Sequence, residues 1–534
     1  MTDTGKALSV LKCHQCCMVK MNIQDLNMRN IQVVGIVGAG AMGRGIAQIA
    51  AQAGLDVMLF DTQVKAIEAA RESLAATWQM LAARGKMSAE QAQACQARLV
   101  AAASLPALSG CDLVIEAVIE RLDVKQQLFR DLEAVVAADC MLVSNTSSLS
   151  ITAIASACSH PARVAGYHFF NPVPLMKVVE VIDGLRSDPS VGDALMDLSR
   201  KMGHTPVRCK DMPGFIVNHA GRGLGTEGLR IVQEGVTSYA VVDAILREQA
   251  GFKMGPFELM DLTGLDVSHY VMESIYRQFY DEPRFKPSPL GAVRVAGGLF
   301  GRKSAGEGFY RYVDGNKVLP SEPAVAEVGA LPKVWVSHAH EEGHHLAGNL
   351  LRGLGAAIQM GSQPDQDCLL VVTPYGQDVS TAVAEQGLDP TRTVGLDTFN
   401  GFEHTKRRTL MCSPATQTDW RDAAHALLAS DGTPVSVIQD SPGFVAQRVM
   451  AMVVNIACDI AQQQIASPDD IDRAVKLGLG YPMGPLEMGN TLGAARVLEV
   501  LRNLQSVTGD PRYRPSLWLQ RRVQLGMSLL SPGY

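Results

Sequence analysis

Between residues 31 and 210 of this chain two hydrophobic rhythms alternate, after a leader with no coherent periodicity. Short apolar runs rich in β-branched residues read as buried strands: Val33 to Val37, Val57 to Phe60, Cys111 to Val118 and Met141 to Ser144. Stretches of helical period separate them. Ile46, Ile49, Ala50 and Ala53 recur at helical spacing until Gly54 stops the run, an Ala/Gln/Glu-rich stretch extends from Val64 to Leu99, and Lys125 to Val136 follows. Two further strand-like runs, Arg163 to Pro172 and Val178 to Ile182, carry His168 and Glu180. Strand and helix in alternation predict a doubly wound parallel sheet, in which ligands gather beyond the carboxyl ends of the strands. At the turn Asp211-Met212-Pro213-Gly214-Phe215 the pattern becomes helical throughout, so the fold class is α/β plus all-α.

The second half repeats the first. Asp211-Met-Pro-Gly-Phe returns as Asp440-Ser-Pro-Gly-Phe, 229 positions on, and Met254-Gly-Pro-Phe-Glu258 returns as Met483-Gly-Pro-Leu-Glu487 at the same offset. Pro161, Arg163, Gly166, Phe170 and Asn171 match Pro390, Arg392, Gly395, Phe399 and Asn400 in the same way. A constant offset over such a span marks a duplication. The expected organisation is a disordered leader (1–30), a Rossmann domain (31–210), a helical domain (211–312), a linker (313–332), a truncated, degenerate Rossmann-like segment (333–436) and a second helical domain (437–534). The helix after Asn218 holds Gly221, Gly223, Gly225 and Gly228. Each costs about 1 kcal/mol in a helix interior, and close approach of another helix is the expected reason.

The glycines of Gly38-Ala39-Gly40-Ala41-Met42-Gly43 lie between a strand and a helix, as a dinucleotide-binding turn requires. Gly38 makes the turn, Gly40 admits a pyrophosphate, and Gly43 lets helix and strand pack. Asp61, 23 positions past Gly38, ends the next strand, where an acid accepts from a ribose hydroxyl and repels a 2′-phosphate. The expected cofactor is therefore NAD.

Bulk properties narrow the picture further. A net charge of −6 argues against nucleic acid or an anionic membrane as partner, and no apolar run reaches the length of a membrane span. The 11 cysteines form no regular framework, which fits reduced thiols in a cytoplasm. Cys13, His14, Cys16 and Cys17 could be read as a metal cluster but have no second ligand pair. His338, His340, His344 and His345 invite a zinc reading, set against a solvated loop where a phosphate-binding turn has decayed. No metal is expected. The leader, with no arginine before Arg29, is a poor targeting peptide, and Met18, Met21 or Met28 is an alternative start.

Taken with Ser144-Asn145-Thr146-Ser147-Ser148-Leu149, His168-Phe169-Phe170-Asn171-Pro172 and Asp211 to Asn218, the chain resembles the 3-hydroxyacyl-CoA dehydrogenase family. Its two-module length is similar to bacterial enzymes of β-oxidation and aromatic-acid degradation. The resemblance implies NAD-dependent oxidation of an L-3-hydroxyacyl-CoA, with 3-hydroxyadipyl-CoA-like substrates among the candidates. By resemblance His168 is the base and Glu180 holds it, a pairing the chemistry asks for because imidazole titrates near working pH. Ser147 and Asn218 match contacts to the substrate oxygen, and Ser147 also to the cofactor. Glu120, Lys125, Asn171 and Lys303 match cofactor positions. Ser73 matches a coenzyme A contact, with Arg84 or Lys86 in place of an expected lysine. His219 stands where the family usually has arginine, and Ala305 lengthens the glycine-rich closure Ala296 to Tyr310.

In the second half Ser147, His168, Glu180 and Asn218 become Gly376, Asp397, Thr409 and Gln447. One active site per chain is expected, with the helical modules forming an intrachain pseudo-dimer and a homo-oligomer as a further expectation. The alternative is a non-catalytic, crystallin-like structural protein of the same fold.

Overall fold

The computed structural model of the chain describes residues 31–303 and 306–533. The leader, with Cys13, His14, Cys16 and Cys17, and Ala305 lie outside the described residues.

The first sheet has eight strands: β1 (Val33–Val37), β2 (Asp56–Phe60), β3 (Leu99–Ala101), β4 (Leu113–Glu116), β5 (Met141–Ser144), β6 (Val164–Phe169), β7 (Val178–Asp183) and β8 (Thr205–Lys210). Their order is β3-β2-β1-β4-β5-β6-β7-β8. All neighbours are parallel except β6 and β7. The connection from Phe170 to Lys177 contains no crossover helix, and a connection so short can only reverse the chain. The sheet is therefore mixed, where the periodicity predicts a parallel one. The long helical stretch from Val64 is also broken, into Val64–Ala83 and Ala89–Arg98. Gly85 at φ +67° turns the chain, and Ser88 with Gln91 forms a capping box that starts the second helix.

Residues 313–332 are not plain linker. β9 (Arg311–Val313) and β10 (Asn316–Val318) make an antiparallel hairpin. A second sheet follows, with β11 (Lys333–Val336), β12 (Cys368–Val372), β13 (Thr393–Leu396), β14 (Arg408–Cys412) and β15 (Val435–Gln439) in sequential order and only the β13–β14 pair antiparallel. Trp335 pairs with Leu370 as Leu113 pairs with Met141, so β11 takes the place of β4 rather than of β1. His338 to His345 is thus not a relic of the phosphate-binding turn. His340 caps the helix Glu341–Gly353 by accepting from Gly343 N, and His338 stacks on His344 at 4.0 Å.

Residues retained at the 229 offset do structural work. The Asp211 carboxylate accepts from the amides of Ile151 and Thr152, and Asp440 from those of Val379 and Ser380. Arg163 donates to the carbonyls of Ala137 and Cys140, and Arg392 to those of Asp365 and Cys368. Asp243 and Asp472 each accept from the first amides of the helix that follows the Met-Gly-Pro turn.

The two helical layers pack on each other through Arg222–Gln233 and Ala446–Gln462, and one apolar core runs through both. A Cβ on Gly223 would lie 2.9 Å from Val453 Cα, so this glycine is set by helix approach. Gly228 is set instead by Pro256 of its own layer, and a Cβ on Gly225 would meet nothing within 4 Å. Polar contacts cross in pairs. Lys210 N donates to Ile465 O at 2.8 Å and Gln439 N to Val236 O at 3.0 Å. Arg284 pairs with Asp459, while Arg448 and Arg512 face Glu227.

Candidate active site

The antiparallel register of β6 and β7 sets His168 opposite Glu180. Both are buried, and Glu180 Oε2 lies 2.7 Å from His168 Nδ1. Glu180 Oε1 accepts from Ile216 N and Val217 N at 2.9 and 2.8 Å. Those amides are aimed by the Pro213-Gly214-Phe215 turn, where Gly214 and Phe215 adopt φ +75° and +49°. Every partner of Glu180 is a donor, so the imidazole proton sits on Nδ1 and Nε2 is left to accept. Ser147 Oγ, 3.0 Å away, donates to it. The rings of Phe170 and Phe215 flank the imidazole, with centroids at 4.5 and 5.9 Å. Asn218 follows directly in the helix Val217–Ala220, half-buried, its carboxamide without a partner among the described residues.

Ser147 is held from behind. Glu120 Oε1 accepts from Ser147 N at 2.9 Å, Ser148 N at 3.0 Å and Thr146 Oγ1 at 2.7 Å. Lys125, only 1% exposed, bridges Glu120 Oε2 at 3.3 Å and Glu116 Oε1 at 2.5 Å. Burial pulls the Glu120 carboxyl upward, but Lys125 and the Ser and Thr donors prevail and hold it below its ordinary value. Glu116 is a residue that sequence reasoning missed. It is fully buried at the end of β4 and accepts from Ser144 Oγ at 2.6 Å. The signal was present: an acid closing an otherwise apolar strand needs a partner.

The loops after β1, β4, β5 and β6 meet along one edge of the sheet. Gly38, at φ +109°, passes so close to Ala117 O that a Cβ would sit 2.4 Å from it. A Cβ on Gly43 would strike Gly38 O, whereas one on Gly40 would stand in open space. The helix Ala41–Gln52 starts there with no side-chain cap and no acid in its first turn. Uncommitted amides, a positive helix end and a bare Gly40 fit a pyrophosphate. Asp61 directly follows β2 and pins the turn, Oδ2 accepting from Ala39 N at 2.8 Å and Oδ1 from Gln63 N at 2.9 Å.

Other expected residues lie further out. Asn171 is exposed beyond β6. Lys303 is exposed on the glycine-rich closure, which is anchored to the helical layer because the Asp261 carboxylate accepts from Phe309 N and Tyr310 N. Ser73 is half-buried on Val64–Ala83, with Arg84 and Lys86 exposed at the turn beyond. None of these four makes a described hydrogen bond or ion pair to the His168 group, nor does Lys86.

The counterpart in the second sheet is closed. Gln249, from the first helical layer, donates to Asp397 Oδ2 at 2.8 Å and accepts from Thr409 Oγ1 at 2.6 Å. Gln447 Nε2 donates to Asp397 Oδ1 at 2.9 Å, and Gln447 Oε1 accepts from Gly376 N at 2.9 Å.

Comparison with known proteins decides the family. The profile of the 3-hydroxyacyl-CoA dehydrogenase NAD binding domain matches residues 33–212, and that of the 3-hydroxyacyl-CoA dehydrogenase C-terminal domain matches residues 214–312 and again 443–529. The chain belongs to the 3-hydroxyacyl-CoA dehydrogenase family. The 3-hydroxyadipyl-CoA dehydrogenase of Escherichia coli K12 is 38% identical over 507 residues, covering 95% of this chain and 99% of that one. Human mitochondrial hydroxyacyl-coenzyme A dehydrogenase is 38% identical over 290 residues, covering 53% of this chain and 91% of its own. Among solved structures, a 3-hydroxybutyryl-CoA dehydrogenase from E. coli K12 superposes with a TM-score of 0.80 at 37% identity, over 93% of this chain and 99% of that chain. As a 3-hydroxyacyl-CoA dehydrogenase, the chain is an oxidoreductase that uses NAD to oxidise a 3-hydroxyacyl-CoA. No helix among its described residues is long and apolar enough to cross a membrane.

Proposed function

We propose that His168 is the general base of this oxidation and that Glu180 and Ser147 position it. The observation that carries the reading is the buried chain Ser147 Oγ, His168 Nε2, His168 Nδ1, Glu180 Oε2, with separations of 3.0 and 2.7 Å. His168 Nε2 accepts the substrate's 3-hydroxyl proton. Glu180 keeps the other ring proton on Nδ1 and stabilises the imidazolium that results, and its own position is fixed by the Ile216 and Val217 amides. NAD, when bound, takes the hydride released from C3. Gly38 to Gly43 and the helix start behind them would hold its pyrophosphate, Asp61 a ribose, and the Glu120–Lys125 loop with Asn171 and Lys303 the nicotinamide half. Asn218 presents its free carboxamide to the substrate oxygen, and Ser73 lies on the coenzyme A side.

The substrate class we favour is a dicarboxylic 3-hydroxyacyl-CoA of the 3-hydroxyadipyl type, in keeping with the relative matched over nearly the whole chain. The second sheet is read as a degenerate, truncated nucleotide-binding fold lacking the strands equivalent to β1, β2 and β3. Its helical module packs as a pseudo-partner within the chain, in a cytoplasmic enzyme. His168→Gln should abolish acetoacetyl-CoA reduction, a loss of about 10²-fold or more, with NADH affinity retained and one NADH bound per chain by calorimetry. Undiminished turnover would remove His168 from the chemistry, and two NADH per chain would remove the single-site reading.

A further inference from the structure

The helix of Asn218 passes Gly221 in helical geometry and continues as Arg222–Gln233. Arg222, four residues on, shares the face of Asn218. Its Nε donates to Asn218 O at 2.9 Å, which folds the guanidinium back toward the His168 end of the helix. Among the described residues no carboxylate faces it. Arg222 is half-buried, whereas the arginines buried between the helical layers face carboxylates: Arg284 faces Asp459, and Arg448 and Arg512 face Glu227. Burial pushes the Arg222 guanidinium down to about 10, and the one group that raises it is Tyr481.

Tyr481 comes from the second module. Its ring packs edge-on against Phe252 at 5.0 Å, it is 3% exposed, and its hydroxyl has no partner. Leu479, in the same loop, comes within 3.3 Å of where a Cβ on Gly221 would stand. Leu224, Phe252, Leu479 and Tyr481, with Lys253, line a mostly apolar cavity of about 40 Å³. The Gly221–Leu224 turn of the helix, which carries Arg222, thus meets the Leu479–Tyr481 loop, bringing a guanidinium without an anion and a buried hydroxyl without a partner to one contact, and both can donate. A carboxylate satisfies both at once.

We propose that Arg222 and Tyr481 receive the distal carboxylate of a dicarboxylic 3-hydroxyacyl-CoA, so that the second module supplies part of the acyl site of the first. This rests on the reading of His168 and Asn218 given above. Four residues of helix, a rise of about 6 Å, separate Asn218 from Arg222. That spacing suits about three bonds of carbon chain between the reacting carbon and the distal carboxyl.

The test compares kcat/KM of the full chain on 3-hydroxyadipyl-CoA and 3-hydroxyhexanoyl-CoA, which share a chain length and differ in the terminal charge. The wild type should favour the diacid. Arg222→Leu should lower the diacid-to-monoacid ratio by about 10- to 100-fold, the loss of a charge-assisted contact. Tyr481→Phe, which removes only an oxygen, should lower the ratio several-fold, and it decides the matter if Arg222→Leu does not fold. A wild type that prefers the hexanoyl substrate, or a ratio that neither variant moves, overturns the assignment. A wild type inert on both substrates would instead strike the hydroxyacyl-CoA reading itself.

Discussion

Two glycines two positions apart on one helix, Gly223 and Gly225, should respond differently to alanine. Gly223 and Gly225 both lie in Arg222–Gln233, so replacing either gains roughly the same helix propensity, about 1 kcal/mol. Their surroundings differ. At Gly223 the new methyl would stand 2.9 Å from Val453 Cα and 3.0 Å from Val453 N, against about 3.5 Å or more for an unstrained contact. These are backbone atoms of the facing helix Ala446–Gln462 and cannot rotate aside, so the helices must part by about half an ångström. Overpacking of this kind costs about 1–3 kcal/mol. At Gly225 nothing lies within 4 Å. Gly225→Ala should therefore stabilise by about 0.5–1 kcal/mol, and Gly223→Ala should fall about 1–3 kcal/mol below it. Urea unfolding of the full chain, followed by circular dichroism, reads the two midpoints at a common slope. Because the propensity gain cancels between the variants, their difference isolates the helix contact. Equal upward shifts would refute the claim that close helix approach fixes Gly223.

Further outcomes are expected elsewhere in the fold. Burial, with Arg222 and Arg284 adding repulsion, pushes His219 down to about 3. Folded His219 thus stays neutral while the unfolded chain binds a proton below about 6.5, so this residue costs stability as pH falls from about 6.5 toward 3, by about 1.4 kcal/mol per unit. His219→Leu should flatten the urea midpoint against pH between pH 6 and 4, removing a pH-linked loss of about 2–3 kcal/mol; parallel profiles would refute it. Gln249→Ala strips a donor from the buried Asp397 and an acceptor from Thr409, so unfolding free energy should drop by about 1–3 kcal/mol with kcat unchanged. Lys125→Met leaves the fully buried Glu116 without its cation and should destabilise by about 3–5 kcal/mol, raising the KM for NADH as the Ser147 loop loosens; an unaltered thermal midpoint would count against it.

Much of this architecture was legible in the residues because its signals are local. The apolar runs of β1, β2, β4 and β5 announce themselves, and the glycines of the first turn carry their own geometry. The 229 offset was readable for a related reason: Asp211, Asp440, Arg163 and Arg392 satisfy backbone groups close by, and any copy of the fold needs them. What stayed hidden depends on partners distant in sequence. The His168–Glu180 contact could be suspected but needed the antiparallel register to become a fact. Lys125 looks like a surface lysine until the buried Glu116 is seen beneath it. Gln249 reaches Asp397 across 148 positions and between modules, a distance over which periodicity says nothing. The His338 segment was misplaced because a strand's sequence does not name its neighbour. Only pairing with β12 shows that β11 stands where β4 would.

Gln249 and its repeat-equivalent, Gly478, show what a single chain permits. A Cβ on Gly478 would already press to 2.9 Å on Val217, whose amide holds Glu180, and to 3.5 Å on Val178 of β7. A glutamine there would drive into the wall behind His168 and Glu180, while in the other sheet the same side chain holds Asp397 and Thr409. Two identical subunits related by a two-fold axis must bear the same residue at both places, and could not plug one site without obstructing the other. Joining the halves into one polypeptide removes that tie. Each position can then mutate once rather than twice, and the two halves become free to diverge in what their matching side chains do.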